Sequence, residues 1–200
     1  MIKEKNDLIY YLEEDRKSLS RKPRTFKSRI IDFFKTDEIW KYQRLLRYLE
    51  YYTNIEKKGL LSIYYKFLML YYHYRWKQQS IKLGFSIPIN VFGPGLSIPH
   101  YGTIVVNPGC KIGANCRLHT SVNIGASAGK PGAPIIGNNV YIGPGAIIFG
   151  NIIIGNNNTI GANSTVNKSF VEDNIVLAGS PAKIVKQNYP NWLEFNRINN

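Results

Sequence analysis

The sequence predicts a mostly β protein, a parallel β-helix of short repeats preceded by an α-helical region. Three observations carry this reading. Branched apolar residues recur every six positions, at Val106, Ile112, Leu118 and Ile124 and again at Ile136, Ile142, Ile148, Ile154, Ile160 and Val166. Glycine follows the apolar residue at 113, 125, 137, 143, 155 and 161. Composition also changes sharply near Gly84: residues 1–84 hold 19 of the 26 Lys+Arg, 10 of the 13 Asp+Glu and 11 of the 14 Tyr, whereas Gly, Pro, Asn, Ile and Val concentrate after it. The first part therefore carries +9 of the net +13.

Along residues 1–84 the apolar spacing is helical. Asn6 or Asp7 is placed to cap a first helix with Leu8, Ile9 and Leu12 on one face. Thr36 and Asp37 precede a second, in which Ile39, Tyr42, Leu45, Leu46, Leu49 and Tyr52 follow the three-to-four spacing of a buried stripe. Residues Leu60–Trp76 are apolar or aromatic almost all round, broken by Lys66, which predicts a helix buried on several sides. Between the first two, Ser18–Phe34 reads as a basic linker or weak helix.

After Gly84 the hexad period implies a parallel β-helix. One aliphatic residue per hexad points inward and stacks on the residue three hexads later, so the stack of coils is itself the core. Glycine and asparagine accept the backbone of the tight corners. The interval between Ile124 and Ile136 has no inward candidate at Lys130, so residues 126–134 are expected to leave the coil as a loop, where sites are commonly built.

Composition also excludes. Two cysteines, Cys110 and Cys116, make neither a disulfide framework nor a four-ligand zinc site, and with three histidines no metal is expected. The cysteines are expected as reduced thiols in equivalent repeat positions. No signal-peptide core or bilayer-length apolar run is seen, which predicts a cytoplasmic protein. The charge points to an anionic partner, but no nucleic-acid module is visible, so nucleic acid is not expected.

These hexads, the segment GLSIPHYGTIVV (95–106) and the ending AGSPAKIV (178–185) resemble the hexapeptide-repeat acyltransferases, most closely the serine O-acetyltransferase-like proteins, including relatives in polysaccharide gene clusters. The resemblance covers residues 85–187 and implies a left-handed β-helix that forms homotrimers and binds acetyl-CoA in clefts between subunits. It divides the chain into a helical region 1–84, an acetyltransferase domain 85–187 and a tail 188–200. The helical region also resembles that of the capsule- and lipopolysaccharide-associated relatives. It is expected to be a structural cap, with a secondary contact at the inner face of the membrane through its basic and aromatic residues.

Direct acetyl transfer from a thioester to an alcohol needs a base for the hydroxyl proton, and histidine titrates near the working pH. His100 aligns with the family's base; it also lies six residues before Val106, where the repeat calls for an aliphatic residue. His119, nineteen residues on, is expected about one coil away, touching acceptor or orienting the base. His73, in the aromatic helix, reads as packing. By motif the resemblance places acetyl-CoA on Gly143, Pro144, Gly161, Ala162, Lys168 and Lys183, with Lys186 as a further cation for its phosphates. Two positions depart from the serine acetyltransferases: Pro99 replaces the Asp before the base, and the extruded loop reads Gly-Lys-Pro-Gly-Ala-Pro (129–134) in place of a segment with a second histidine. Lys130, the loop's one charge, is then expected to meet the acceptor. These departures favour a sugar hydroxyl of a surface polysaccharide or its precursor as acceptor. The alternatives are serine, an amino sugar acetylated on nitrogen, or a non-catalytic trimeric scaffold.

Overall fold

The computed structural model describes residues 1–21, 37–56 and 58–194. Most of the expected linker 18–34 therefore lies outside the described residues. Helix α1 spans Lys5–Ser18 and starts earlier than the cap expected at Asn6 or Asp7. Asp7 instead acts from inside the first turn, where its Oδ2 accepts the backbone N–H groups of Lys3 and Glu4 at 2.9 and 3.0 Å. Helix α2, Glu38–Asn54, is capped by Asp37, whose Oδ1 accepts from the Trp40 N–H at 2.9 Å. Helix α3, Leu60–Leu83, ends at Gly84, whose left-handed φ of 78° favours glycine.

Helix α3 departs from expectation. Its buried residues are only Gln79, Ser80 and Leu83, while Leu60, Phe67 and Tyr74 are 86%, 68% and 62% exposed. Helix α2 covers one side, through rings such as Tyr48, stacked on Tyr72 at 5.0 Å. An apolar sequence all round marks what a helix is able to bury, not how much one chain covers. At the start of α2, Glu38 accepts from Lys82 at 2.7 Å and Gln79 at 2.6 Å, which holds its carboxyl down at about 2. A depressed carboxyl stabilises the fold above its ordinary value and loses that contribution as pH falls from about 4.5 towards 2. Acid titration of stability should thus fall less steeply in Glu38→Gln than in the parent over that interval.

From Phe85 the chain winds as a left-handed parallel β-helix with three sheets. The first sheet holds β1 (Phe85–Ser86), β2 (Ile104–Val106), β5 (Val122–Gly125), β8 (Ile147–Phe149) and β11 (Thr165–Val166). The second holds β3 (Lys111–Ile112), β6 (Ile135–Ile136) and β9 (Ile153–Ile154). The third holds β4 (Arg117–Leu118), β7 (Tyr141–Ile142), β10 (Thr159–Ile160), β12 (Val176–Ala178) and the antiparallel closing strand β13 (Lys183–Lys186). Parallel partners in regular coils are eighteen residues apart, as in Ile104↔Val122 and Thr165↔Ile147. Asn123↔Ile147 and Lys111↔Ile135 are twenty-four apart, so six extra residues leave the coil between β5 and β6. The inward column from Ile98 to Val166 is almost wholly buried.

Asparagine holds the corner between the second and third sheets. Asn115, Asn139 and Asn157 all take positive φ, and their carboxamides donate down the stack at 2.9 and 2.8 Å. The C-terminal segment climbs this corner: Tyr189 N–H meets the Asn174 carbonyl and the Trp192 indole N–H donates to the Asn115 carbonyl at 3.0 Å. Cys110 and Cys116 are buried free thiols, and burial pushes Cys116 up to about 12, unsuited to a nucleophile.

The helices are bound to the first coil by buried charge. Arg47, fully buried, donates to both oxygens of Asp15 at 2.8 and 3.2 Å, to Glu50 at 2.9 Å, and to the carbonyls of Phe92 and Gly93. Asp15 Oδ1 also accepts the N–H groups of Gly95 and Leu96, each at 2.8 Å. Each buried charge thus has both an ionic partner and hydrogen bonds.

Candidate active site

His100 sits on a lengthened corner. Ser97 pairs with Arg117 twenty residues on, but Ile104 pairs with Val122 only eighteen on. The first coil therefore carries two more residues between the third and first sheets than the coil beneath it. The inward position is taken by Ile98, fully buried, and His100 projects outward and exposed. An inward register for His100 is thereby corrected: the extra residues absorb the offset counted back from Val106, so no aliphatic position is displaced.

The same corner of the next coil carries His119, and the two imidazole centroids lie 6.0 Å apart. The Tyr141 ring lies 4.9 Å from His119, a contact that the sequence hid because its register includes the six-residue insertion. His119 Nε2 is buried without a hydrogen-bond partner. Burial, then the nearby charges of Arg117 and His100, hold the His119 imidazolium below its ordinary range, so His119 is neutral at neutral pH.

Below the histidines, Gly143 and Gly161 occupy the same slot. The backbone N–H groups of His119, Gly143 and Gly161 donate to the carbonyls of Ile142, Ile160 and Leu177 in successive coils. Pro144 and Ala162 follow them, exposed. The two glycines differ in what surrounds them. A Cβ on Gly143 would lie 2.8 Å from the Ala162 nitrogen, whereas one on Gly161 meets nothing nearer than 3.4 Å.

Other expected site residues lie elsewhere. Lys130 is exposed in the 126–134 loop, between the first and second sheets. Lys168 projects from the same corner further down, with its Nζ 5.3 Å from the Phe170 ring centroid. The width of the first sheet separates both from the histidine column, so a single chain does not bring Lys130 to His100. Lys183 is exposed on β13, and Lys186 lies over the Tyr189 ring at 5.0 Å. His73 lies on α3, 5.7 Å from Trp76, ring to ring. Among the described residues no helix is long and apolar enough to cross a membrane.

Residues 133–168 match the family model described as bacterial transferase hexapeptide (six repeats). The chain is 34% identical over 131 residues to the serine acetyltransferase of Buchnera aphidicola subsp. Schizaphis graminum, covering 58% of this chain and 50% of that protein. It is 40% identical over 97 residues to that of Staphylococcus xylosus, covering 48% and 44%. It thus spans about half the length of the curated relatives it matches. The Brucella abortus serine acetyltransferase solved in complex with coenzyme A superposes with a TM-score of 0.69 at 26% identity, over 94% of this chain and 71% of that one. That coverage includes the helices as well as the coils. The expected glycan hydroxyl, and with it a role in polysaccharide biosynthesis, is overturned by these relatives. Pro99 and the 129–134 loop are local changes on a corner and a loop, and such segments vary without naming a different acceptor.

Proposed function

We propose, from the matching hexapeptide repeats and the shared fold, that the chain is an acetyl-CoA-dependent serine O-acetyltransferase of the hexapeptide-repeat transferases. The observation that carries the reading is the single corner on which His100, His119, Gly143 and Gly161 stack. His100, exposed at its mouth, takes the serine hydroxyl proton as the oxygen attacks the thioester carbonyl, and coenzyme A leaves as the thiol. Neutral His119 is proposed to hold the acceptor beside it. The pantetheine arm is proposed to lie along Gly143, Pro144, Gly161 and Ala162.

Lys168 and Lys130 line a different corner, so their part in the proposal requires a neighbouring copy. Exposed aliphatics at outward strand positions (Val105, Ile135, Ile147 and Ile153) support packing of copies side by side. We therefore read the unit as a homotrimer whose grooves join the histidine corner of one chain to the loop and Lys168 of the next. Lys183 completes the phosphate contacts, and α1 and α2 cap the first coil.

Thiol release from acetyl-CoA with L-serine, against glycine and L-threonine as acceptors, tests the reading; release that does not depend on serine would reject it. The glycine column gives a sharper test. Gly161→Ala should fold normally, since its methyl meets only ordinary contacts, yet should raise the KM for acetyl-CoA about tenfold, or about 1.4 kcal/mol. Gly143→Ala should instead disturb the coil and lower thermal stability.

A further inference from the structure

Down the outer side of the third sheet the paired positions are Ser97, Arg117, Tyr141, Thr159 and Val176. Arg117 is the one charge in that column, and it precedes His119 by two residues. Leu118 between them is fully buried in the coil, so both side chains leave from the outer side, about 7 Å apart along the chain.

The Arg117 guanidinium is half-buried and poorly compensated. Among the described residues its one hydrogen bond runs from Nη1 to the Ser97 hydroxyl at 3.4 Å, the Trp192 ring lies over it at 5.2 Å, and no carboxylate meets it. Burial pulls it below its ordinary range, yet a guanidinium stays charged at any working pH. Arg47 shows what this fold does for a buried guanidinium that is purely structural: Asp15 and Glu50 both pair with it. Arg117 lacks that counterpart, which an incoming carboxylate would supply.

A cavity of about 350 Å³ opens where such a group could enter, with Ile39, Ile98 and Pro99 beside Arg117. Arg21 and Asp37 also line it and pair with each other. Pro99 directly precedes the exposed His100, so the cavity borders the corner of the proposed base. We infer, on the serine reading of the reaction, that Arg117 binds the carboxylate of the acceptor and so selects an amino acid over a neutral alcohol. The planar guanidinium offers paired N–H donors that match two carboxylate oxygens. With that end of serine held, the hydroxyl two carbons away is left to His119 and His100.

Acetyl transfer to L-serine and to L-serinamide, which keeps the hydroxyl and the amine but not the negative charge, tests this assignment. The parent should favour L-serine by about 10- to 100-fold in kcat/KM. Arg117→Met should raise the KM for L-serine by about that factor, leave the KM for acetyl-CoA within about twofold of the parent, and accept both alcohols alike. Arg117→Lys, which keeps the charge without the paired donors, should retain part of the preference, and it carries the same comparison if the methionine variant is unstable. A parent that accepts both alcohols alike, a preference unchanged in Arg117→Met, or an equal loss towards both acceptors in the two variants overturns the inference; the last outcome would leave Arg117 only the task of seating Trp192. No transfer to L-serine by the parent overturns the serine reading, and the role of Arg117 with it.

Discussion

Replacing Asp15 with alanine should destabilise the protein by about 3–5 kcal/mol, because it strands a fully buried guanidinium. Arg47 would keep Glu50 and two carbonyls but lose both oxygens of its main partner, and the N–H groups of Gly95 and Leu96 would lose their acceptor. Urea unfolding of the parent and of Asp15→Ala measures the loss, and a difference below about 1 kcal/mol would contradict the role given to this pair. The double variant Asp15→Ala/Arg47→Met should be less destabilised than the two single changes together, since removing both charges leaves neither unpaired. The cluster also grips residues 92–96 of the coil that leads into His100. Acetyl transfer should accordingly fall along with stability.

His100→Ala should lower kcat for serine-dependent thiol release by a factor of about 10²–10⁴ while leaving the melting temperature unchanged. The side chain is exposed on its corner, so removing it opens no cavity. The KM for acetyl-CoA should stay near the parent value, because the donor is assigned to the glycine column below. Retention of more than a tenth of parental kcat would move the base elsewhere, with His119 the next group to test. His119→Asn separates the two roles: if His119 holds acceptor, the KM for serine rises more than kcat falls.

The coils were legible because burial inside a prism imposes a strict period, and Ile112, Ile136 and Ile154 each announce it in the sequence. The loop was legible for the complementary reason, since Lys130 breaks that period. Where the period itself shifts, residue counting loses its footing. The two additional residues around His100 reassigned its position from the interior to the surface, and nothing local marks them. Likewise the Tyr141–His119 contact joins positions twenty-two apart in sequence, across an insertion that only the paired strands reveal. The exposed side of α3 was hidden for another reason: an apolar pattern records no partner. The acceptor is hidden for a third reason: Pro99 and the 129–134 loop are local changes, and the surrounding coils are shared with the serine acetyltransferases.

The asparagine ladder has a consequence for where the coil is regular. Each carboxamide fixes the bend of its own turn and hands the same geometry to the one below, so the scaffold is locked along that vertex. The other two vertices, where the described residues form no such ladder, carry a six-residue excursion in one place and a two-residue one in another. The histidine corner and the extruded loop thus lie on edges whose length differs from coil to coil, while the asparagine vertex keeps one geometry throughout.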